Sequence, residues 1–159
     1  MLTKIYQQSG NATQEGIREI FAAIQPKPEA QEVVLYLKQK GYLIYLISGA
    51  IDMYVKEVAK KLGVSGFYAN SSLAFNQQGG LEKIHYRNNQ GEVKVEQLKD
   101  LVKKFGIGTN EAVFVGDSEN DIEVFKETGH GIAVHATSEE LKHVAWREIE
   151  SLQELYNIL

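Results

Sequence analysis

Residues 112–121 read Ala112-Val113-Phe114-Val115-Gly116-Asp117-Ser118-Glu119-Asn120-Asp121, an apolar run that stops at a glycine and gives way to carboxylates. Four apolar residues before a turn signal predict a buried strand, and Ile122, Val124 and Phe125 predict a short helix after it. The pattern recurs on both sides. Upstream, Tyr42-Leu43-Ile44-Tyr45-Leu46-Ile47 is apolar on both faces, stops at Ser48-Gly49 and leads into a helix reaching Leu62-Gly63. Downstream, Gly131 to Val134 predicts a third strand. Buried strands alternating with helices predict an α/β fold, a Rossmann-like parallel sheet with helices on both faces.

The remaining segments fit around that alternation. Leu2, Ile5 and Tyr6 have helical spacing, interrupted near Gly10-Asn11. Thr13 can cap a helix carrying Ile17, Ile20, Phe21 and Ile24, which Pro26 and Pro28 end before opening another with Val33, Val34 and Leu37 on one face and Gly41 as its stop. Residues 66–91, rich in Gly, Asn, Ser and Gln, predict a small hairpin excursion through Leu73-Ala74-Phe75 and Ile84-His85-Tyr86. A helix is expected from about Lys94 to Phe105, and a last one around Leu152, Leu155, Tyr156 and Leu159.

Composition narrows the function. The chain has 159 residues, 43 % hydrophobic and 24 % charged, and suits one domain, or one domain with a small insertion. Seventeen basic against twenty-one acidic residues give a net charge of −4, and the basic ones are scattered, which argues against nucleic acid or an anionic membrane as partner. With no cysteine there is no disulfide framework, thiolate metal site or cysteine nucleophile. Apolar runs too short to span a bilayer and the lack of a signal-peptide core predict a cytoplasmic protein. His85, His130, His135 and His143 have no metal-ligand spacing, and the tyrosines and Trp146 are too dispersed for a stacking platform.

Chemistry is expected where parallel strands end. Ser48 with Gly49 offers a hydroxyl and backbone N–H groups suited to a phosphate, or a plain helix cap. Asp117 and Asp121, one helical turn apart, offer hard oxygen ligands for Mg2+, or acidic residues at a helix start. Lys94 opposes the dipole of the helix it is expected to open; by itself it reads as solvated surface charge.

Taken together, Leu46-Ile47-Ser48-Gly49-Ala50-Ile51-Asp52, then Lys94 ahead of a helix, then Phe114-Val115-Gly116-Asp117-Ser118-Glu119-Asn120-Asp121 resemble the haloacid-dehalogenase-like (HAD) phosphohydrolases. Ser-Gly-x-x-Asp, Phe67-Tyr68-Ala69-Asn70 and Gly-Asp-x-x-Asn-Asp resemble the phosphoserine-phosphatase-like branch, over about residues 15–159. The resemblance implies Mg2+-dependent hydrolysis of a small phosphorylated metabolite through an aspartyl-phosphate. By motif, Ser48 is implied to hydrogen-bond the phosphoryl oxygens and Lys94 to neutralise charge there. Asn120 and Gly49 are implied to help hold the phosphate, and Asp117 to ligate Mg2+ with Asp121 beside it. Residues 1–28 then read as a remnant of a helical cap or as N-terminal helices, and 29–159 as the HAD-like core.

One part of the pattern is missing. The family's Asp-x-Asp motif supplies the nucleophile, the general acid and a metal ligand, yet residues 1–51 contain no aspartate. Two explanations compete: a chain truncated within the cap, which the helical spacing of Leu2, Ile5 and Tyr6 favours, or a degenerate motif in Tyr6–Thr13 with Gln7 and Ser9 where the aspartates belong. Either predicts an impaired enzyme, or a non-catalytic phosphate-binding pseudoenzyme or interaction protein. The family's first strand lies between the strands read here as Tyr42–Ile47 and Ala112–Val115, so its loss leaves backbone groups to pair. The expected repairs are direct pairing of those two strands, insertion of residues 2–8, or strand exchange in a homo-oligomer.

Overall fold

The structure, a computed structural model, describes residues 12–159. It divides between Arg87 and Asn88 into two compact units. The helix expected at Leu2, Ile5 and Tyr6 and the degenerate motif at Gln7 and Ser9 lie outside the described residues.

In the first unit, α1 (Gln14–Ala23) starts where Thr13 Oγ1 accepts from the Gly16 N–H, and α2 (Pro28–Gln39) starts on a proline whose missing N–H is no loss there. Val33 and Leu37 are the buried face of α2. Gly41 ends it in the left-handed region at φ 93°, with Gly41 N–H bonding Lys38 O and Tyr42 N–H bonding Leu37 O. That cap corrects the expected strand. Tyr42 belongs to the end of the helix and Leu43 is 62 % exposed, so β1 runs over Tyr45–Ile51 rather than Tyr42–Ile47. Ser48 and Gly49 therefore lie within the strand, and the next helix, α3 (Asp52–Leu62), begins after Ile51. The residues of β1 are half-buried or exposed, not the fully buried run expected.

β1 pairs in parallel with β2 (Gly66–Phe75), which turns back antiparallel into β3 (Leu81–Tyr86). This is the hairpin read from residues 66–91. Its turn is tied by Asn76 Oδ1, which accepts from the Gln78 and Gly80 N–H groups. A bridge from Thr13 to Gly80 ties the start of α1 to that turn.

The second unit opens with α4 (Gln90–Phe105) and continues through β4 (Phe114–Gly116), a 3-10 turn at Glu119–Asp121, and α5 (Ile122–Thr128). It closes with β5 (Gly131–Val134), α6 (Glu139–Val144), β6 (Arg147–Ile149) and a 3-10 segment, Leu152–Asn157, where a last helix was expected. Strands β4, β5 and β6 form one parallel sheet in that order. Its core is Leu98 and Val102 of α4, Ile122, Val124 and Phe125 of α5, Ala133 and Leu141.

Two further expectations are corrected. Strand β4 is shorter than Ala112–Val115 and ends on Gly116. Helix α4 starts four residues before Lys94, so Lys94 stands in its second turn rather than at its start. The direct pairing expected between the strands read as Tyr42–Ile47 and Ala112–Val115 is absent among the described residues: β1 belongs to one three-stranded sheet and β4 to the other. No helix among the described residues is long and apolar enough to cross a membrane.

Candidate functional site

The expected site residues fall into the two units. Ser48 and Gly49 belong to the first; Lys94, Asp117, Asn120 and Asp121 belong to the second, which brings Lys94, Asp117 and Asp121 together.

In the first unit, the pairing of β1 with β2 slips between Ser48 and Ile51. An extra residue in a strand re-aims its neighbours. Ser48 Oγ accepts from the Ala50 N–H at 3.1 Å, and Ser71 Oγ donates to Gly49 O at 2.8 Å. The plain reading of Ser48 as a helix cap fails, because α3 starts after Ile51 with no side-chain cap. Ser48 holds a bulge, and Gly49 at its crest is exposed.

In the second unit, the buried positions of α4 are Val93, Lys94, Gln97, Leu98, Leu101 and Val102. Lys94 precedes Leu98 by four residues and Leu101 by seven, so helix geometry puts its stem on the face that enters the core. At 8 % exposure it is not the solvated lysine of the plainer reading. A buried ammonium requires a partner, and Asp121 provides it: Lys94 Nζ donates to Asp121 Oδ1 at 2.5 Å.

Asp121, 2 % exposed, also grips the turn after β4. Its Oδ2 accepts from the backbone N–H groups of Asp117 and Ser118 at 3.1 Å each and from Ser118 Oγ at 3.2 Å. These four donors occupy both carboxylate oxygens. Asp117 differs: it is exposed at the end of β4, as Asn120 is in the turn that follows. One carboxylate thus fastens the lysine to the turn while the other faces solvent.

Asp117 as a hard oxygen donor suits one corner of a Mg2+ site, an ion that keeps several waters. Asp121 Oδ2 already accepts three hydrogen bonds, while Oδ1 accepts one, from Lys94. No group of three His, Asp or Glu side chains poised for a metal occurs among the described residues. The described residues therefore fit the ion in part.

Residues 3–129 match the haloacid dehalogenase-like hydrolase family. The chain belongs to that family. Within it the chain falls in the phosphoserine-phosphatase-like branch. It is 32 % identical over 122 residues to the phosphoserine phosphatase of Methanocaldococcus jannaschii, covering 75 % of this chain and 56 % of that one. The phosphoserine phosphatase of Archaeoglobus fulgidus is 29 % identical over 131 residues, covering 82 % and 38 %. Among solved structures, one described as a phospho-aspartyl intermediate analogue of phosphoserine phosphatase superposes with a TM-score of 0.79 at 30 % identity, over 99 % of this chain and 76 % of that one. An apo phosphoserine phosphatase gives 0.80 at 30 % identity, over 99 % and 79 %. The chain spans roughly 40–60 % of the length of these curated relatives.

Three contributors escaped the sequence reading. Ser118 was signalled by Ser-x-x-Asp before an apolar run, a capping pattern in which the acidic side chain returns to the serine N–H. Gly116 is placed by close approach: a Cβ there would lie 2.5 Å from Asp121 Cγ and Oδ2. Ser71 was legible only through the pairing of β1 with β2.

Proposed function

We propose that this chain carries the phosphate-handling residues of a Mg2+-dependent phosphomonoester hydrolase of the phosphoserine-phosphatase type, acting on a small phosphorylated metabolite in the cytoplasm, and that by itself it is impaired in turnover. The observation that carries this reading is the buried Lys94 ammonium, fastened to the turn that presents Asp117. Phosphoryl transfer needs positioning and charge neutralisation above all, and a lysine locked in place provides both. An ammonium has three donors and Asp121 takes one, which leaves two for phosphoryl oxygens.

The other residues have parts in the same reading. In the first unit Ser48 Oγ and the backbone N–H groups around Gly49 are donors suited to a phosphoryl oxygen, and in the second the Asn120 amide is another. Asp117 holds Mg2+ together with waters, and Asp121 stands behind it, orienting Lys94. The bound ion would supply charge neutralisation at the phosphoryl oxygens. Strands β1 and β4, each at one end of its sheet among the described residues, are read as places where strand exchange or association completes a sheet. Impairment follows from chemistry: Lys94 and Ser48 bind and neutralise, while residues 1–51 hold no aspartate to attack phosphorus. That lack also favours a second reading, a phosphate-binding protein without turnover.

The experiment pairs calorimetry with inorganic phosphate and an assay on a panel of small phosphomonoesters in Mg2+, beside the double variant Lys94→Ala, Asp117→Asn. Phosphate binding that the double variant loses, with equal background turnover in both proteins, is the expected result. Turnover abolished in the variant would overturn the impairment. No phosphate binding by the parent chain would overturn the whole reading.

A further inference from the structure

Lys94 has a neighbour that its ion pair does not explain. The Nζ stands over the face of the Phe114 ring, 6.0 Å from its centroid, within the range where an ammonium is drawn to an aromatic face. Phe114 opens β4, a position where a branched aliphatic residue would serve a parallel strand equally well. The ring is itself held. Phe125, 1 % exposed, meets it in an edge arrangement, with centroids 6.2 Å apart and planes at 62°. Phe125 in turn lies so close to Gly131 that a side chain there would collide with it.

Among the described residues Lys94 Nζ has one hydrogen-bond partner, a single carboxylate oxygen, and such a lysine keeps much freedom. Its compact charge on a four-carbon stem can pivot about Asp121 Oδ1, because attraction to a point charge sets distance better than direction. An aromatic face removes part of that freedom by favouring the cation on one side. We propose that Phe114 is a positioning residue, whose ring face acts with Asp121 Oδ1 to fix where the Lys94 ammonium stands and so strengthens its grip on a phosphoryl group. The inference rests on the reading of Lys94 as phosphate-binding.

The test uses the full chain with Phe114→Leu, which keeps an apolar side chain but removes the ring, and Phe114→Tyr, which keeps the ring. The first readout is the proton shift of the Lys94 ε-methylene in lysine-labelled protein, assigned through Lys94→Arg. The second is affinity for inorganic phosphate in Mg2+. The expected result is an upfield ring-current shift in the parent and in Phe114→Tyr that disappears in Phe114→Leu, with phosphate bound about fivefold more weakly by the leucine variant alone. Pentafluorophenylalanine at position 114 keeps the shape and reverses the charge of the ring face. It is expected to weaken phosphate as leucine does, and it stands in if Phe114→Leu does not fold. Parent-like shift and affinity in Phe114→Leu, or parent-like affinity in the fluorinated protein, overturn the positioning role. A parent chain that binds no phosphate overturns the hydrolase reading instead, and the ring-current shift then decides by itself whether Phe114 holds Lys94.

Discussion

The carboxyl group of Asp121 lies against the α-carbon of Gly116, so closely that a Cβ at 116 would stand 2.5 Å from Asp121 Cγ and 2.9 Å from its Cβ. Glycine inside a strand is ordinarily a weakness. Here it opens the space through which the carboxylate reaches the N–H groups of Asp117 and Ser118 and the ammonium of Lys94. Strand, turn and helix α4 are thereby joined at one side chain.

Replacing Gly116 by alanine forces Asp121 or the strand to move. We expect a loss of about 2 kcal/mol in urea unfolding. The loss should be largely absent when Gly116→Ala is made in an Asp121→Ala background, because the clash goes with the carboxylate. Additive losses in that cycle would refute the close-approach argument.

Asp121→Asn keeps the shape and removes the charge opposite Lys94. Leaving a buried ammonium without its counter-ion costs about 3 kcal/mol, measured by chemical unfolding. Lys94→Met combined with Asp121→Asn should recover a good part of that loss, since no unmatched charge remains buried. A double variant as unstable as the sum of the two singles would show that the pair is not coupled.

Ser48→Ala separates binding from stability. Ser48 Oγ has one hydrogen-bond partner among the described residues, the Ala50 N–H, so unfolding stability should fall by no more than about 1 kcal/mol. Affinity for inorganic phosphate should fall about tenfold, the equivalent of one hydrogen bond to a charged group. Calorimetry on the folded variant reads the difference.

Asn76→Ala removes the acceptor for two turn N–H groups, from Gln78 at 3.0 Å and Gly80 at 2.9 Å. A stability loss of about 1–2 kcal/mol is expected. Hydrogen exchange should rise first at Leu81, whose N–H bonds Ala12 O beside that turn. Unchanged protection at Leu81 would show that the turn does not hold the start of the described chain.

Much of the fold can be read along the chain. Thr13 as a cap, Pro28 at a helix start, Gly41 and Gly63 as stops, and the return from Phe75 to Leu81 are local signals, and each acts within a few residues of where it stands. The errors lie where an end is set by a partner. Tyr42 is apolar enough for a strand, but its N–H closes α2, which moves β1 by three residues. Strand β6 was invisible because Arg147-Glu148-Ile149 has little apolar character, and its pairing with β5 makes it a strand.

For the site, the sequence by itself determined which chemistry is present: a hydroxyl beside glycine at Ser48-Gly49, an ammonium at Lys94, and carboxylates at Asp117 and Asp121 in a spacing that matches the family. Those are properties of residue type and order. Only the tertiary structure decided what each group does with its neighbours. Asp117 and Asp121 are chemically alike and four residues apart, yet one faces solvent while the other is buried under four donors. Lys94 is polar in every scale of residue character but sits among apolar neighbours, because the 3.6-residue period of α4 carries it inward and a carboxylate meets it there. Burial and pairing depend on residues that are remote in sequence and adjacent in space, here separated by twenty-seven positions.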